Sequence, residues 1–316
     1  MSVAFVFPGQ GSQAVGMLSS LTGRPEVDDL VRRADAALGE PALSKVIAEG
    51  PAEELALTTW TQPAMLLAGM ACLAAWRAEG GPEPAFVAGH SLGEYTALVA
   101  AGSLDIDTAI RLVRLRAQAM QEAVPLGTGG MAAILGLSDA DVQAACGEAR
   151  PVPDTDRLEE VAAVNFNAPG QVVIAGHAGA VERACAAAQA RGARRAKPLS
   201  VSAPFHSVLL KSAGDVLQRA LADVDLKAPS IPLINNVDVA IETHPARIRD
   251  ALVRQAWHPV RWVELIQKLA DQGVDHFVEF GPGKVLTGLI KRIAPQAQLD
   301  NVFDAASLQS TLAKFS

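Results

Sequence analysis

The chain is poor in the residues that mark disulfide-bonded, metal-binding or nucleic-acid-binding proteins. Only three of its 316 residues are cysteine, and Cys72, Cys146 and Cys185 have neither paired spacing nor histidines at metal-ligand spacing. We interpret them as reduced thiols, because disulfides are rare in reducing compartments. The formal net charge is −7, so the chain has no excess of basic residues of the kind that a general nucleic-acid-binding surface requires. We therefore expect a cytoplasmic protein with no metal site and no nucleic-acid partner.

Long hydrophobic runs and a secretory leader are also missing. The first residues, MSVAFVFPGQG, have no basic region and an apolar run of only strand length, unlike a signal peptide. The most apolar helix candidate, residues 63–76, is too short to cross a bilayer. Aromatic residues make up 4% of a chain that is 50% hydrophobic, so alanine and leucine fill a large core. No membrane association is expected.

Short apolar runs alternate with helical patterns along most of the chain. The predicted strands are residues 3–7, 85–89, 231–235, 276–280 and 299–303. The predicted helices are residues 61–79, 91–101, 107–123, 245–256, 262–272 and 284–293. This alternation predicts an α/β fold with a parallel sheet flanked by helices on both faces.

The middle of the chain has a different pattern, which begins after a hinge-like GTGG at residues 127–130. Strands are predicted at residues 131–135, 160–165, 171–175 and 194–199, and helices at residues 138–149 and 178–191. Their βαββαβ order predicts a small ferredoxin-like α+β domain, residues 127–197, inserted into a large domain of residues 1–126 and 198–316. A cleft between the two domains is the natural place for a site.

The stretch GHSLG, residues 89–93, places Ser91 between two glycines at a predicted strand-to-helix turn. Such a turn holds a nucleophile exposed, because glycine tolerates the crowded backbone on either side. The following helix would direct backbone N–H groups at a developing oxyanion. The motif is shared with α/β-hydrolases, so we expect the large domain to be hydrolase-like. A purely structural turn is the alternative.

Two histidines compete as the base for Ser91. His90 is its neighbour in the turn, where adjacent side chains diverge, so a packing role is predicted. His206 stands in SVSAPFHSVLL, close to the predicted domain junction. Known triads take the base from a distant part of the chain, which favours His206. His276 lies in an apolar strand and is predicted to belong to the core.

Arg116 lies on the apolar stripe of its predicted helix, whereas Arg111 and Arg114 lie on the polar face. A charge on a buried face costs several kcal/mol unless it is paired. One interpretation is an ion pair with a core carboxylate. The other is a guanidinium that binds a substrate carboxylate in a bidentate manner.

The glycine-rich segment after the first strand, FPGQGSQ, formally matches a dinucleotide-binding fingerprint from Gly9 to Ala14. The match is weak, because Pro8 breaks the strand end and no acidic residue ends a second strand about 20 residues later. A turn that offers backbone N–H groups to an oxyanion is the alternative.

These motifs together resemble the malonyl-CoA:acyl carrier protein transacylases. The shared blocks are FPGQGSQ, GHSLGEY, RLRAQAMQEAVP, NFNAPGQVVIAG, APFHS, RQAWHPVRW and EFGPGKVLTGL, and they cover nearly the whole chain. The resemblance implies transfer of a malonyl group from malonyl-CoA to the phosphopantetheine thiol of an acyl carrier protein, in fatty-acid or polyketide synthesis. It implies a malonyl-serine intermediate, no cofactor, and a protein that we expect to be a monomer.

The resemblance also implies a role for each matching position. Ser91 is the nucleophile, His206 is its base, and the main-chain carbonyl of Gln255 orients that histidine. The backbone N–H groups of Gln10 and Leu92 form the oxyanion hole, and Arg116 holds the malonyl carboxylate. In the predicted helix that contains Arg116, the sequence is Arg-Ala-Gln where the family often has Arg-Gly. Phe205, directly before His206, is the residue found at this position in members that resemble this chain and select malonyl.

Two other classes of function stay open. A serine hydrolase would need an acid and a late histidine, for which Asp250 and His276 stand in the required order. A non-catalytic carrier-binding module would not need the intact set of nucleophile, base and arginine. For an acidic carrier, two basic clusters are candidate docking sites, with an ordinary solvated surface as the alternative: Lys284, Lys291 and Arg292, and Arg191, Arg194, Arg195 and Lys197.

Overall fold

The computed structural model describes residues 2–315. The strands are β1 Val3–Phe7, β2 Phe86–Gly89, β3 Gly129–Leu135, β4 Val161–Ala168, β5 Gln171–His177, β6 Arg195–Pro198, β7 Leu233–Ile234, β8 Ile241–Glu242, β9 His276–Phe280 and β10 Gln298–Val302. The helices are α1 Pro25–Leu38, α2 Leu43–Glu49, α3 Ala52–Leu55, α4 Thr58–Ala78, α5 Gly93–Ala100, α6 Ile106–Glu122, α7 Asp139–Ala149, α8 Ala178–Ala190, α9 Lys211–Ala222, α10 Pro245–Gln255, α11 Trp262–Asp271, α12 Val285–Ile293 and α13 Ala305–Leu312. A 3-10 turn, Val208–Leu210, precedes α9.

The larger sheet has the strand order β10-β9-β1-β2-β7-β8. Its pairs from β10 to β7 are parallel, which confirms the predicted parallel sheet. The edge strand β8 runs antiparallel to β7 and was not predicted, because a two-residue strand has too few positions to show a pattern.

Both faces of this sheet are buried, as the alternation of β1 shows. Phe5 and Phe7 pack into the core that includes α4, whereas Ala4 and Val6 pack into a second core with Trp262 of α11. A parallel strand buried on both sides needs an almost continuous apolar run, which is the pattern of VAFVF. The prediction of helices on both faces is confirmed.

The second sheet is antiparallel, with the order β4-β5-β3-β6, and α7 and α8 pack on it around a separate core. This arrangement confirms the predicted ferredoxin-like βαββαβ unit. The sheet is joined to the rest of the molecule through β4, since Phe166 N–H donates to Val260 O at 3.0 Å and Val260 N–H to Val164 O at 2.8 Å. The division into domains at residues 127 and 197 stays a prediction.

Helices α1, α2 and α3 were not named from the sequence. The residues before them, Arg24, Ala42 and Pro51, form no side-chain cap hydrogen bond, although α1 does have start signals in Pro25 and an acidic first turn. Within residues 2–315, none of the helices has the length and hydropathy needed to cross a membrane.

Candidate active site

Ser91 occupies a tight turn between β2 and α5, and its φ of 53° is left-handed. The flanking glycines have no room for a side chain. A Cβ on Gly89 would lie 1.9 Å from the carbonyl carbon of Gly93, and a Cβ on Gly93 would lie 1.9 Å from Phe7 O. The spacing of the motif therefore follows from packing of the turn against the end of β1. A non-glycine residue held at positive φ is a strained arrangement that clusters at functional sites.

Asn236, two residues after the end of β7, holds the backbone of this turn from the other side. Ser91 N–H donates to Asn236 Oδ1 at 2.7 Å, and Asn236 Nδ2 donates to Gly89 O at 2.7 Å. Asn236 is fully buried, so its amide hydrogen bonds replace those of water and fix the turn.

The side chain that reaches Ser91 Oγ is that of His206, whose Nε2 is 2.7 Å away. His206 Nδ1 lies 2.8 Å from the main-chain oxygen of Gln255. A carbonyl only accepts, so Nδ1 carries the proton and Nε2 is free to accept the serine proton. Burial, with a smaller effect of the Arg116 charge, lowers the pKa of His206 to about 3. The imidazole is therefore neutral at neutral pH, as a general base must be.

The other candidate histidines make different contacts. His90 Nε2 lies 2.8 Å from Asn167 Oδ1, and its ring centroid is 5.5 Å from that of Trp262. His276 is buried and pairs with Asp300 at 2.9 Å. Asp250 forms an ion pair with Arg254. The acid and histidine that a hydrolase triad would use therefore bind other partners.

Arg116 lies on the buried face of α6, with 2% of its surface exposed. Its Nη1 donates to Gln62 Oε1 at 2.7 Å, and its Nη2 donates to Gln255 Oε1 at 2.9 Å and to Ser91 Oγ at 3.2 Å. No carboxylate of the described chain lies within 4.0 Å of it, so the direct ion pair is not formed. A guanidinium with neutral partners beside the serine is able to bind an anionic group.

Two backbone N–H groups near Ser91 have no acceptor among the described residues, those of Gln10 and Leu92. Both residues line the cleft that contains Ser91. Thr58 Oγ1 donates to Gln10 Oε1 at 3.0 Å, which ties the side chain of Gln10 to α4. The segment after β1 forms turns until α1 begins at Pro25, so the glycine-rich motif lacks the helix that a dinucleotide site requires.

The cleft has a volume of about 520 Å³ and lies between the two sheets. Gln10, Ser91 and Arg116 line it from the larger sheet and its helices, and Met131 and Asn165 line it from the second sheet. Gln255 lies behind the cleft and is fully buried. Across residues 2–315, no group of three His, Cys, Asp or Glu side chains is placed to hold a metal ion.

Residues 4–309 match the acyl transferase domain family. The chain is also 52% identical over 310 residues to a malonyl CoA-acyl carrier protein transacylase of Salmonella typhimurium, with 98% of each chain covered. The chain belongs to this family of acyltransferases. Its fold is similar to the crystal structure of an acyl-carrier-protein S-malonyltransferase from Burkholderia pseudomallei, with a TM-score of 0.95, 57% identity, and 99% of this chain and 100% of that chain covered.

A second solved structure shows a malonyl-transacylase bound to a type II polyketide-synthase acyl carrier protein. It matches this acyltransferase with a TM-score of 0.95 and 48% identity, over 99% of this chain and 100% of that chain. This acyltransferase therefore shares nearly its whole fold with an enzyme whose structure was solved in complex with its acyl carrier protein.

Sequence reasoning missed three polar side chains of the acyltransferase site: Gln62, Glu94 and Asn236. Each is at most 1% exposed. The signals were present, since Gln62 interrupts an apolar helix, Glu94 follows the GHSLG motif, and Asn236 ends an apolar run. A polar residue in an apolar segment is a candidate for a buried hydrogen-bond network.

Proposed function

We propose that this acyltransferase moves a malonyl group from malonyl-CoA to the phosphopantetheine thiol of an acyl carrier protein, through a malonyl ester of Ser91. The observation that carries the proposal is the buried Arg116 guanidinium, 3.2 Å from Ser91 Oγ and without a carboxylate partner in the described chain. A malonyl thioester has its carboxylate one methylene away from the carbonyl that the serine attacks. One acyl group can therefore reach both residues, and Arg116 selects for its free carboxylate.

In the first half-reaction, Ser91 Oγ attacks the thioester carbonyl carbon while its proton moves to His206 Nε2, 2.7 Å away. The carbonyl oxygen becomes an oxyanion, which the N–H groups of Gln10 and Leu92 stabilise. Collapse of this intermediate breaks the carbon–sulfur bond, and the CoA thiolate takes the proton from His206. The Gln255 main-chain oxygen holds the imidazole in the required tautomer throughout.

The second half-reaction is the reverse with a different thiol. The carrier's phosphopantetheine thiol gives its proton to His206 Nε2 and attacks the malonyl ester. The oxyanion forms in the same place, the carbon–oxygen bond breaks, and Ser91 Oγ regains a proton. Every proton and bond is provided by one chain and its two substrates, so the mechanism requires no cofactor and a monomer is sufficient.

The names of the relatives and the carrier-bound structure support this assignment. The phosphopantetheine thiol is common to fatty-acid and polyketide carriers, so the proposal covers both pathways.

Intact-mass measurement after incubation with malonyl-CoA tests the nucleophile. The wild type should gain one malonyl group, and Ser91→Ala should gain none. A malonyl group that maps to Cys72, Cys146 or Cys185 would contradict the assignment of Ser91.

The same reaction, quenched at short times, tests the base. His206→Ala should slow acylation by about 10²- to 10⁴-fold, the usual contribution of a general base. His90→Ala is the matched control and should mainly lower stability, because His90 hydrogen-bonds to Asn167 and not to Ser91. A stable, inactive His90→Ala together with an active His206→Ala would reverse the two roles.

A further inference from the structure

Glu94 is a buried carboxylate directly behind the nucleophile, and the reaction steps above do not use it. It lies in the first turn of α5, three residues after Ser91, and is 1% exposed. Its Oε2 accepts hydrogen bonds from Gln255 Nε2 at 2.8 Å and from the backbone N–H of Asn236 at 3.0 Å. A buried charge needs partners of this kind, because an unpaired one is strongly unfavourable.

Both partners of Glu94 hold Ser91. Gln255 Nε2 also donates to Ser91 O at 3.0 Å, and Asn236 Oδ1 accepts from Ser91 N–H at 2.7 Å. The carboxylate is therefore one contact away from the main chain on either side of the strained serine. A change in Glu94 reaches the nucleophile without touching any substrate.

The orientation of the Gln255 amide is fixed by two acceptors on its Nε2 side, Glu94 Oε2 and Ser91 O. An ionised carboxylate only accepts, so it requires the NH2 end of the amide, which turns Oε1 towards Arg116. Arg116 Nη2 donates to this oxygen at 2.9 Å. A reversed amide would place two donors, Nε2 and the guanidinium, against each other and displace the arginine.

We propose that Glu94 is a positioning residue of the acyl-transfer site, which acts through Gln255 and Asn236 to fix the Arg116 guanidinium and the backbone of Ser91. The inference deepens the proposed function and rests on it. Burial raises the pKa of Glu94 to about 7, against the hydrogen bonds from Gln255 and Asn236 and the charge of Arg116. Assays at pH 8 therefore examine its charged form.

The test compares kcat/KM for malonyl-CoA and acetyl-CoA in wild type and Glu94→Gln. The variant keeps the volume but has an amide that can accept or donate, so Gln255 Nε2 loses its charged acceptor and only Ser91 O still requires the present orientation. We expect the malonyl-to-acetyl ratio to fall by about tenfold, because only malonyl uses Arg116. Equal losses with both substrates, or no loss in a folded variant, would overturn the proposal.

Glu279→Gln is the matched control. Glu279 is also fully buried, but its carboxylate accepts from the backbone N–H groups of Leu286 and Thr287, neither of which hydrogen-bonds to Ser91. The Glu279→Gln variant should leave the malonyl-to-acetyl ratio unchanged even where it lowers stability.

If Glu94→Gln does not fold, Glu94→Asp replaces it, since aspartate keeps the charge but shortens the reach to Gln255. An unchanged ratio in Glu94→Asp would also overturn the proposal.

A double-mutant cycle tests whether Glu94 acts through Gln255. Gln255→Met removes the side-chain amide and keeps the main-chain carbonyl that His206 needs. In that background, Glu94→Gln should lower the malonyl-to-acetyl ratio by less than twofold, whereas additive losses would contradict the proposed route.

Failure of the proposed function gives a different result from failure of this inference. A wild type that forms no malonyl adduct would refute the proposed function, whereas an active wild type with an unaffected Glu94 variant would refute only the role of Glu94.

Discussion

Arg116 is a buried charge whose hydrogen-bond partners in the described chain are all neutral: Gln62, Gln255 and the hydroxyl of Ser91. These amide oxygens partly replace water, but they do not neutralise the guanidinium. In the proposed function, a substrate carboxylate would supply an opposite charge in direct contact with Arg116, whereas an acetyl group would present a methyl to the same site. We therefore expect substrate selection to depend on Arg116 and on the two glutamines that hold it.

Replacing Arg116 with alanine should therefore change selectivity. Malonyl transfer should collapse while acetyl transfer holds or rises, since a site built around a polar partner rejects the analogue lacking it by about 10⁴-fold. Lysine should rescue only partly, because it loses the planar bidentate contact. The measurement is kcat/KM for both CoA thioesters. Arg111→Ala, on the exposed face of the same helix, is the control. An equal decrease for both substrates in Arg116→Ala would make Arg116 a purely structural residue.

Among the secondary-structure elements, the β2–α5 turn is the most tightly constrained part of the site. Gly93 packs so closely on the end of β1 that an added Cβ would meet Phe7 O at 1.9 Å, and a backbone atom in a sheet cannot move away cheaply. The glycine therefore sets both the position of the helix and the exposure of the serine.

Gly93→Ala should destabilise the protein by about 3 kcal/mol, the upper range for overpacking. It should also slow acylation, because any shift of α5 moves Ser91. Urea unfolding measures the first effect. Gly147→Ala is the control: an added Cβ there meets no atom within 4 Å, and alanine in this helix should stabilise by about 0.5–1 kcal/mol. A Gly93→Ala protein as stable as wild type would show that the turn relaxes more easily than its geometry indicates.

The elements of the site were predictable where their signals are local. β1 follows the predicted bounds because it is an uninterrupted apolar run, β9 follows them because three of its five residues are apolar, and Arg116 was found because it breaks an apolar stripe. The network around Glu94 was not predictable. Its contacts join residues more than 140 positions apart, and no local pattern tells which distant amide faces a buried carboxylate.

For the whole molecule, the net charge of −7 means that an acidic carrier must be attracted locally. The two basic clusters differ in their position relative to the cleft. At α12, Val285 and Leu289 line a cavity of about 150 Å³ together with Gln10 and His90, so this cluster adjoins the active-site cleft. Each cluster has one arginine that is already bound, since Arg191 is paired with Glu148 and Arg292 donates to Gln171 Oε1 and Pro169 O. Because the α12 cluster adjoins the cleft, we expect the carrier to approach over α12.

Lys291→Glu should raise the KM for the carrier by about fivefold, leave malonyl-CoA kinetics unchanged and reduce salt sensitivity. Lys197→Glu tests the other cluster in the same way. Lys45→Glu, on the exposed face of α2, is the control, because each reversal changes the net charge from −7 to −9. An equal response at positions 291 and 45 would show that the total charge, and not a docking surface, governs carrier binding.

The separation of 115 positions between Ser91 and His206 has a consequence for how activity appears as the chain folds. The serine turn is built from β1, β2 and α5, all within the first third of the chain, whereas its base follows the entire second sheet and is oriented by Gln255, a further 49 residues on. A growing or refolding chain therefore has Ser91 without the imidazole beside it until these long-range contacts form. We expect the ability to form an acyl-serine to appear only after residues 206 and 255 are in place, so that a partly made chain leaves activated thioesters unreacted.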